Sequence, residues 1–114
     1  MPTAFLAALL FALFAVPAMA ETCRASWYGG GEKLSRHTAN GERFNPRALT
    51  AAHRSLRFGT HVRVTHGKRS VVVRISDRGP AAWTHRCIDV TRAAAIALGM
   101  IGKGVAHVRV EVLR

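Results

Sequence analysis

With 114 residues, of which 17 are Lys or Arg and six are Asp or Glu, the chain is small and carries a formal net charge of +11. A chain of this length buries only about 60 to 70% of its unfolded surface, which excludes several large domains and favours one modest core. The charge favours an anionic partner, but no motif of a DNA- or RNA-binding family occurs, so we expect no nucleic acid partner.

The first element in chain order is an uncharged apolar run at residues 4–16. The run is too short to cross a bilayer comfortably as a helix, and the small residues Ala18 and Ala20 that follow it fit the cleavage rule of secretory signal peptides. We therefore predict a signal peptide at residues 1–20, an exported chain that begins at Glu21, and no stable membrane anchor. The alternative is a buried N-terminal helix.

Two cysteines, Cys23 and Cys87, follow the predicted cleavage site. Outside the cytoplasm such an even pair favours a disulfide, which would close a loop of about 65 residues and stabilise the fold by about 4 kcal/mol. The alternative makes Cys23 a lipid anchor. A lipid-bearing cysteine directly follows the cleaved bond, whereas Glu21 and Thr22 intervene here, so we predict the disulfide.

Alternating apolar and charged residues predict half-buried strands in two parts of the chain. The valines expected to face the core are Val62, Val64, Val108, Val110 and Val112, and the side chains expected to face outward are Arg63, Arg109 and Glu111. Residues 71–75 are dense in β-branched side chains and follow a tight connection at His66-Gly67-Lys68. The segments on either side of this connection predict a hairpin.

A single short helix is predicted at about residues 92–98, with Asp89 or Thr91 as its N-cap and Gly99 as its stop. No linker, convincing repeat or low-complexity stretch divides residues 21–114. The pattern therefore predicts one mainly β domain with one short α-helix.

The chain gives no sign of a metal or cofactor site. Its six histidines, at positions 37, 53, 61, 66, 85 and 107, show no ligand spacing, and both cysteines are assigned to the disulfide. The glycines at positions 29–31 lack the strand, helix and downstream acid of a dinucleotide-binding motif. We expect no cofactor and no metal.

Six short motifs occur in order at residues 25–29, 38–44, 49–53, 58–60, 76–80 and 88–90, with the sequences ASWYG, TANGERF, LTAAH, FGT, SDRGP and IDV. In this order and spacing they closely resemble the rare lipoprotein A family, over nearly the whole of residues 21–114. The resemblance implies a six-stranded double-psi β-barrel. It also implies a lytic transglycosylase that cleaves peptidoglycan glycan strands and forms 1,6-anhydro-muramyl ends.

The resemblance also implies an anionic partner for the basic surface. Peptidoglycan lies outside the cytoplasm and carries carboxylates. We expect the exported protein in the periplasm or cell envelope, as a monomer bound to glycan strands. Expansins have a similar barrel, and a fold alone does not establish catalysis. The alternative function is therefore a non-catalytic, expansin-like module that binds the wall polymer.

Three features depart from the family pattern. Asn45 stands where family members usually carry Asp, and Ser76 replaces the common Asn before Asp77. Residues 81–86, which include Trp83, form an unusual segment.

Asp77 is the first candidate for the proton donor. It shares strand parity with Val73 and Ile75, so an unbroken strand would place its carboxyl group on the apolar face. An enclosed carboxyl group keeps its proton more readily than a solvated one, as a general acid at a glycosidic oxygen requires. The alternative is that Asp77 starts a turn through Gly79-Pro80. The resemblance favours the catalytic role.

Three further residues are catalytic candidates. Glu42 follows a turn at Asn40-Gly41, where a surface glutamate is the ordinary alternative, and the family motif makes it the second candidate. His53 would hydrogen-bond a carboxylate or the substrate, with a buried core histidine as the alternative. Asp89 either caps the helix or serves as a reserve acid, because a related position carries the catalytic acid in endoglucanase and expansin relatives.

Trp27, Tyr28 and Arg78 are the predicted substrate-binding residues. An aromatic pair in a first strand usually divides between core and surface, so we expect only one of the two rings to stack on a sugar. In the reaction that the resemblance implies, one proton-shuttling group is sufficient, because the substrate's own C6 hydroxyl attacks the anomeric carbon.

Overall fold

The computed structural model describes residues 20–113, which form a closed barrel of six strands. The strands are β1 (Ala20–Tyr28), β2 (Thr50–His53), β3 (His61–His66), β4 (Arg69–Asp77), β5 (Ile88–Thr91) and β6 (Val105–Leu113), and their order around the barrel is β1-β5-β2-β4-β3-β6. The barrel and the single short α-helix of these residues confirm the predicted fold class. Apart from Ala20, the predicted signal peptide lies outside the described residues.

The barrel closes through both parallel and antiparallel pairs. β1 is parallel to β5 and β2 is parallel to β4, whereas the other four pairs are antiparallel. The alternating valines of β3 and β6 face the interior as predicted, since Val62, Val64, Val108 and Val110 are buried. Their neighbours Arg63 and Arg109 are exposed. The core is therefore the inside of the barrel.

The predicted hairpin and helix are both confirmed. Gly67 and Lys68 connect β3 to β4, and Gly67 has a φ of +60°, which glycine adopts at no steric cost. The helix α1 (Arg92–Leu98) begins after Thr91, whose Oγ1 accepts a hydrogen bond from the Ala94 amide at 3.4 Å, so Thr91 and not Asp89 is the N-cap. It ends at Gly99, which has a left-handed φ of +67°.

The predicted disulfide between Cys23 and Cys87 is confirmed, with the two Cα atoms 5.9 Å apart. It joins β1 to the residue just before β5, where the Cys87 amide also donates a hydrogen bond to the Arg24 carbonyl at 2.9 Å. Among residues 20–113, no helix has the length and apolar character needed to span a bilayer.

Candidate active site

Four residues form a row across the outer face of the barrel. Ser26 on β1 pairs with Asp89 on β5, Asp89 pairs with Ala52 on β2, and Ala52 pairs with Asp77 on β4. Residues in register on adjacent strands point to the same face of a sheet. Asp89 and Asp77 therefore stand on one face, two strand spacings or about 10 Å apart at their Cα atoms, with the small side chain of Ala52 between them.

A bulge in β4 brings Asp77 to this face. Ala51 pairs with Ile75, but its neighbour Ala52 pairs with Asp77, so β4 advances by two residues while β2 advances by one. Ser76 is the additional residue, and its side chain is buried. The expectation that Asp77 lies on the apolar face with Ile75 is therefore wrong, because the strand does not run through unbroken.

Three residues of the row lie at an open cleft of about 280 Å³. Ala52, Asp77 and Asp89 line it, and the segment at residues 34–44 supplies one wall. This segment is a hairpin, in which the Phe44 amide donates to the Arg36 carbonyl and the Thr38 amide donates to the Glu42 carbonyl, both at 2.8 Å. We name it the wall hairpin. It leaves the two carboxyl groups accessible to a ligand.

Asp89 is half-buried in the cleft, and its burial raises the pKa of its carboxyl group. Two neighbours act in the opposite direction. Ser26 Oγ donates a hydrogen bond to Asp89 Oδ1 at 3.0 Å, and the Arg86 guanidinium, which carries a positive charge nearby, donates to Ser26 Oγ. The result is an oriented carboxyl group that keeps its proton to higher pH than a solvated aspartate.

Asp77 is held by two backbone amides. Its Oδ1 accepts hydrogen bonds from the Ala39 amide at 2.8 Å and from the Arg78 amide at 2.9 Å. The first of these bonds ties β4 to the tip of the wall hairpin, and the second has the local character that a turn residue makes. Asp77 thus faces the cleft and also shapes its edge.

Tyr28 is one of the residues that line the cleft, and its side chain is buried there. The ring stacks on Phe44, with the two centroids 5.1 Å apart and an interplanar angle of 19°. The hydroxyl is buried and makes no hydrogen bond of ordinary length to the residues that the structure describes, although a weaker interaction with Asp77 contributes to its raised pKa. Burial raises the pKa of Tyr28, and the negative charges of Asp77 and Asp89 add to the effect, so the hydroxyl remains a donor.

Glu42 lies in an ion pair beside the cleft. Its Oε2 accepts from Arg74 Nη2 at 2.9 Å, while its Oε1 accepts from Arg74 Nη1 and from Asn40 Nδ2. These hydrogen bonds lower the pKa of Glu42 to about 2. The carboxylate is therefore an anion at any physiological pH, and it attaches the wall hairpin to β4.

His53 faces a different cavity. It follows Ala52 on β2 and so points to the opposite side of the sheet, where it lines a cavity of about 410 Å³ together with Glu21 and Val110. Its Nδ1 accepts hydrogen bonds from the Ser55 and Leu56 amides, both at 3.1 Å. The ring proton is then on Nε2, which lies 3.3 Å from Glu21 Oε1. The structure does not bring His53 together with Asp77.

Trp27 and Arg78 are engaged within the protein. Trp27 lies on the core side of β1 and packs on Gly30, where an added Cβ would come within 2.6 Å of the ring. The Arg78 guanidinium lies 3.9 Å above the Phe58 ring centroid, and its Nη1 donates to the Leu56 carbonyl at 2.8 Å. Arg78 still lines the cleft, but these contacts occupy much of its charged group.

One group of potential metal ligands occurs within residues 20–113, and it combines Glu21 with Cys23 and Cys87. The two sulfur atoms are bonded to each other. They cannot act as thiolate ligands while the disulfide is present.

Similarity to known proteins agrees with this architecture. A family model described as "Lytic transglycolase" matches residues 20–110. A relative from Nostoc sp., named "Probable endolytic peptidoglycan transglycosylase RlpA", is 63% identical over 92 residues, which cover 78% of this chain and 24% of the relative. The "Endolytic peptidoglycan transglycosylase RlpA" of Neisseria meningitidis serogroup A is 48% identical over 93 residues, which cover 80% of this chain and 38% of the relative.

These figures mean that the chain spans about a quarter to two fifths of the length of these two relatives. Among solved structures, an expansin of Clavibacter michiganensis superposes with a TM-score of 0.65 and 22% sequence identity. The superposition covers 84% of this chain and 51% of the expansin. At this identity the likeness shows a shared fold.

Proposed function

Because the chain belongs to the lytic transglycolase family, we propose that it cleaves the glycan strands of peptidoglycan by lytic transglycosylation and leaves 1,6-anhydro-muramyl ends. The names of its relatives support this activity. The observation that carries the proposal is the open cleft with two carboxyl groups on one face, of which one has a raised pKa. The disulfide suits an oxidising compartment, so we place the protein outside the cytoplasm, in the periplasm or cell envelope.

Asp89 is the proton donor in this proposal, in place of Asp77. Its protonated carboxyl group donates to the glycosidic oxygen while the bond from that oxygen to the anomeric carbon breaks. The C6 hydroxyl oxygen of the same sugar attacks the anomeric carbon and closes the anhydro ring. The hydroxyl proton passes to the Asp89 carboxylate, which restores the acid for the next cycle.

Asp77 stabilises the positive charge of the transition state. In glycoside cleavage this charge develops at the anomeric carbon and the ring oxygen, and a carboxylate fixed nearby lowers its energy. The amides of Ala39 and Arg78 hold the Asp77 carboxyl group in place, so little reorganisation is needed during the reaction. The buried Tyr28 hydroxyl stays protonated next to Asp77 and helps to hold that carboxylate in place.

Glu42 and His53 have supporting roles in this proposal. Glu42 holds the wall hairpin through Arg74, and its low pKa makes it a poor proton donor. His53 holds the turn after β2 through its Nδ1. Both residues remain candidates for essential positions, since loss of either contact would move an edge of the cleft.

Product analysis tests the activity. Purified protein is incubated with peptidoglycan sacculi, intact and stripped of stem peptides, and released fragments are examined by mass spectrometry for anhydro-muramyl ends. We expect Asp89→Asn to lower the release by about 100-fold or more, because general acid catalysis contributes about 10²- to 10⁴-fold. Glu111→Gln, a change on β6 away from the cleft, is the matched control and should cleave normally.

Two outcomes would change the proposal. If wild-type protein binds sacculi but releases no anhydro ends above a buffer blank, the expansin-like binding function replaces cleavage. If Asp89→Asn cleaves normally while Asp77→Asn does not, the activity stands and Asp77 is the acid.

A further inference from the structure

The loop at residues 78–87 borders the cleft and is held firmly in place. It connects β4 to β5 and crosses the end of β2, which lies between them. Arg54, the residue after β2, donates from Nε to the Pro80 carbonyl at 3.3 Å and from Nη2 to the Arg86 carbonyl at 2.6 Å. At its far end, the disulfide of Cys87 ties the loop to β1.

Both ends of this loop adjoin the row that contains Asp77 and Asp89. Asp77 immediately precedes the loop, and Arg78 lines the cleft. Arg86 donates to Ser26 Oγ, which in turn donates to Asp89. The loop is therefore a rim of the cleft, and a polymer that extends from the cleft on this side must pass over it.

Trp83 is the most exposed large apolar side chain of the described residues, with 81% of its surface accessible. It lies in a single 3-10 turn at Ala82–Thr84, which is closed by hydrogen bonds from the Thr84 amide at 3.0 Å and Thr84 Oγ1 at 2.6 Å to the Ala81 carbonyl. The backbone under the ring is thus ordered before any ligand arrives. Tryptophan is usually largely buried, so a ring left in water on an ordered rim points to a ligand.

We propose that Trp83 is a stacking platform for a pyranose ring of the glycan strand, outside the sugars that occupy the cleavage cleft. The identity of this ligand rests on the proposed function. The axial C–H faces of a pyranose ring are flat and apolar, and an indole covers such a face while its N–H stays in contact with water or a sugar hydroxyl. Because the loop is already ordered, the stacking costs little conformational entropy.

The surroundings of Trp83 favour a sugar over a protein or a lipid partner. Its neighbours in sequence, Ala81 and Ala82, are small, and Thr84 and His85 are polar, so Trp83 is the one large apolar side chain of this turn. A stable protein interface buries about 800 Å² on each side, far more than one indole supplies. A single ring matches the apolar face of one sugar unit.

Tryptophan fluorescence tests the platform directly, because the chain contains only two tryptophans, Trp27 and Trp83. In the double variant Trp27→Phe/Asp89→Asn, Trp83 is the only tryptophan and the glycan is not consumed. The probe is purified glycan strands stripped of stem peptides. We expect saturable quenching or a blue shift of the Trp83 emission. Half of the change should occur at the glycan concentration that gives half-maximal binding in pelleting with sacculi.

A second measurement does not depend on the Trp27 variant. Trp83→Ala in the otherwise unchanged chain should weaken glycan binding about fivefold to tenfold, and Trp83→Phe should restore part of it. Ile96→Ala, which removes an exposed apolar side chain from α1, is the matched control and should bind as wild type does. Cleavage of fragments short enough to fill only the cleft should be unchanged in Trp83→Ala.

The outcomes separate this inference from the proposed function. If the emission does not move while pelleting shows bound glycan, or if Trp83→Ala binds as tightly as wild type, the platform is refuted. An emission change with anionic vesicles and none with glycan would assign the ring to a membrane surface and refute it as well. If glycan shifts the emission but no anhydro ends form with wild-type protein, the platform stands and cleavage fails.

Discussion

At the residue scale, the behaviour of Asp89 depends on a balance between burial and the hydrogen bond from Ser26. Burial raises the pKa of Asp89, whereas the Ser26 hydroxyl stabilises the charged form and lowers it. A general acid must be protonated to act, so kcat/KM should fall as the pH rises through the pKa of Asp89.

Ser26 was not among the residues predicted to form the site, because its position beside Asp89 depends on the pairing of β1 with β5.

Ser26→Ala should move the falling limb of the pH–rate profile to higher pH. The substitution removes a hydrogen bond that favours the carboxylate, so the acid keeps its proton over a wider range. The measurement is kcat/KM for anhydro-muramyl release between about pH 3 and pH 9, at roughly unit intervals that bracket the ordinary pKa values of Asp and His. Ser26→Thr keeps the hydroxyl and should leave the limb in place. A limb that moves to lower pH would mean that Asp89 is not the acid.

Tyr28→Phe should slow cleavage without weakening the fold. The hydroxyl is buried and makes no hydrogen bond of ordinary length to the described residues, and an unsatisfied buried donor costs about 1 to 3 kcal/mol, so its removal should leave the melting temperature unchanged or raise it. Loss of the hydroxyl next to Asp77 should leave that carboxylate less firmly held and lower kcat/KM by about threefold to tenfold. Thermal denaturation and product release are measured on the same samples. Normal cleavage by Tyr28→Phe would show that the hydroxyl does not support Asp77 in the reaction.

At the scale of elements, the wall hairpin depends on the ion pair between Glu42 and Arg74. The pKa of Glu42 is lowered to about 2, so its stabilising contribution is fully present above the ordinary glutamate pKa and is lost as the pH falls through about 2. The pair is partly exposed, with side-chain exposures of 33% for Arg74 and 41% for Glu42, and solvent screening limits its contribution to about 1 kcal/mol.

Glu42→Gln should therefore lower the melting temperature at pH 7 by a few degrees and have a smaller effect near pH 2. We expect reduced but measurable cleavage, because the wall hairpin loosens while Asp89 is unchanged. Glu111→Gln controls for the loss of a carboxylate elsewhere. If Glu42→Gln abolishes cleavage and leaves the melting temperature at pH 7 as in wild type, Glu42 acts in the chemistry itself.

Elements that depend on local signals were predicted well from the sequence, and positions that depend on register were not. The helix was predicted from a cap at Asp89 or Thr91 and a stop at Gly99, and the hairpin from the connection at Gly67, since these signals lie within a few residues of the element. The side of the sheet that Asp77 faces depends on one additional residue in β4 relative to β2. A one-residue shift in register moves a side chain to the other face, and no local sequence pattern at Ser76 indicates the bulge.

At the scale of the whole molecule, the charge distribution predicts that wall binding is sensitive to salt. The chain has 17 basic and six acidic residues, and Glu42 and Glu111 already pair with Arg74 and Arg109. Peptidoglycan carboxylates attract the remaining Lys and Arg side chains. Salt screens this attraction when the charges are more than about 8 to 10 Å apart. Pelleting with sacculi across a salt series should show retention that falls steadily. Equal retention at low and high salt would mean that contacts in the cleft and at Trp83 dominate.

The row Ser26–Asp89–Ala52–Asp77 lies entirely on strands, whereas the wall hairpin and the rim at residues 78–87 are loops. The ladder of the barrel therefore keeps the distance between the acids constant while the loops are free to change in length and composition. Variation of the two loops would alter which polymer enters and how it is held, and it would leave the chemical step intact. A barrel built in this way is well suited to diversification, because new specificity does not require a new arrangement of the acids.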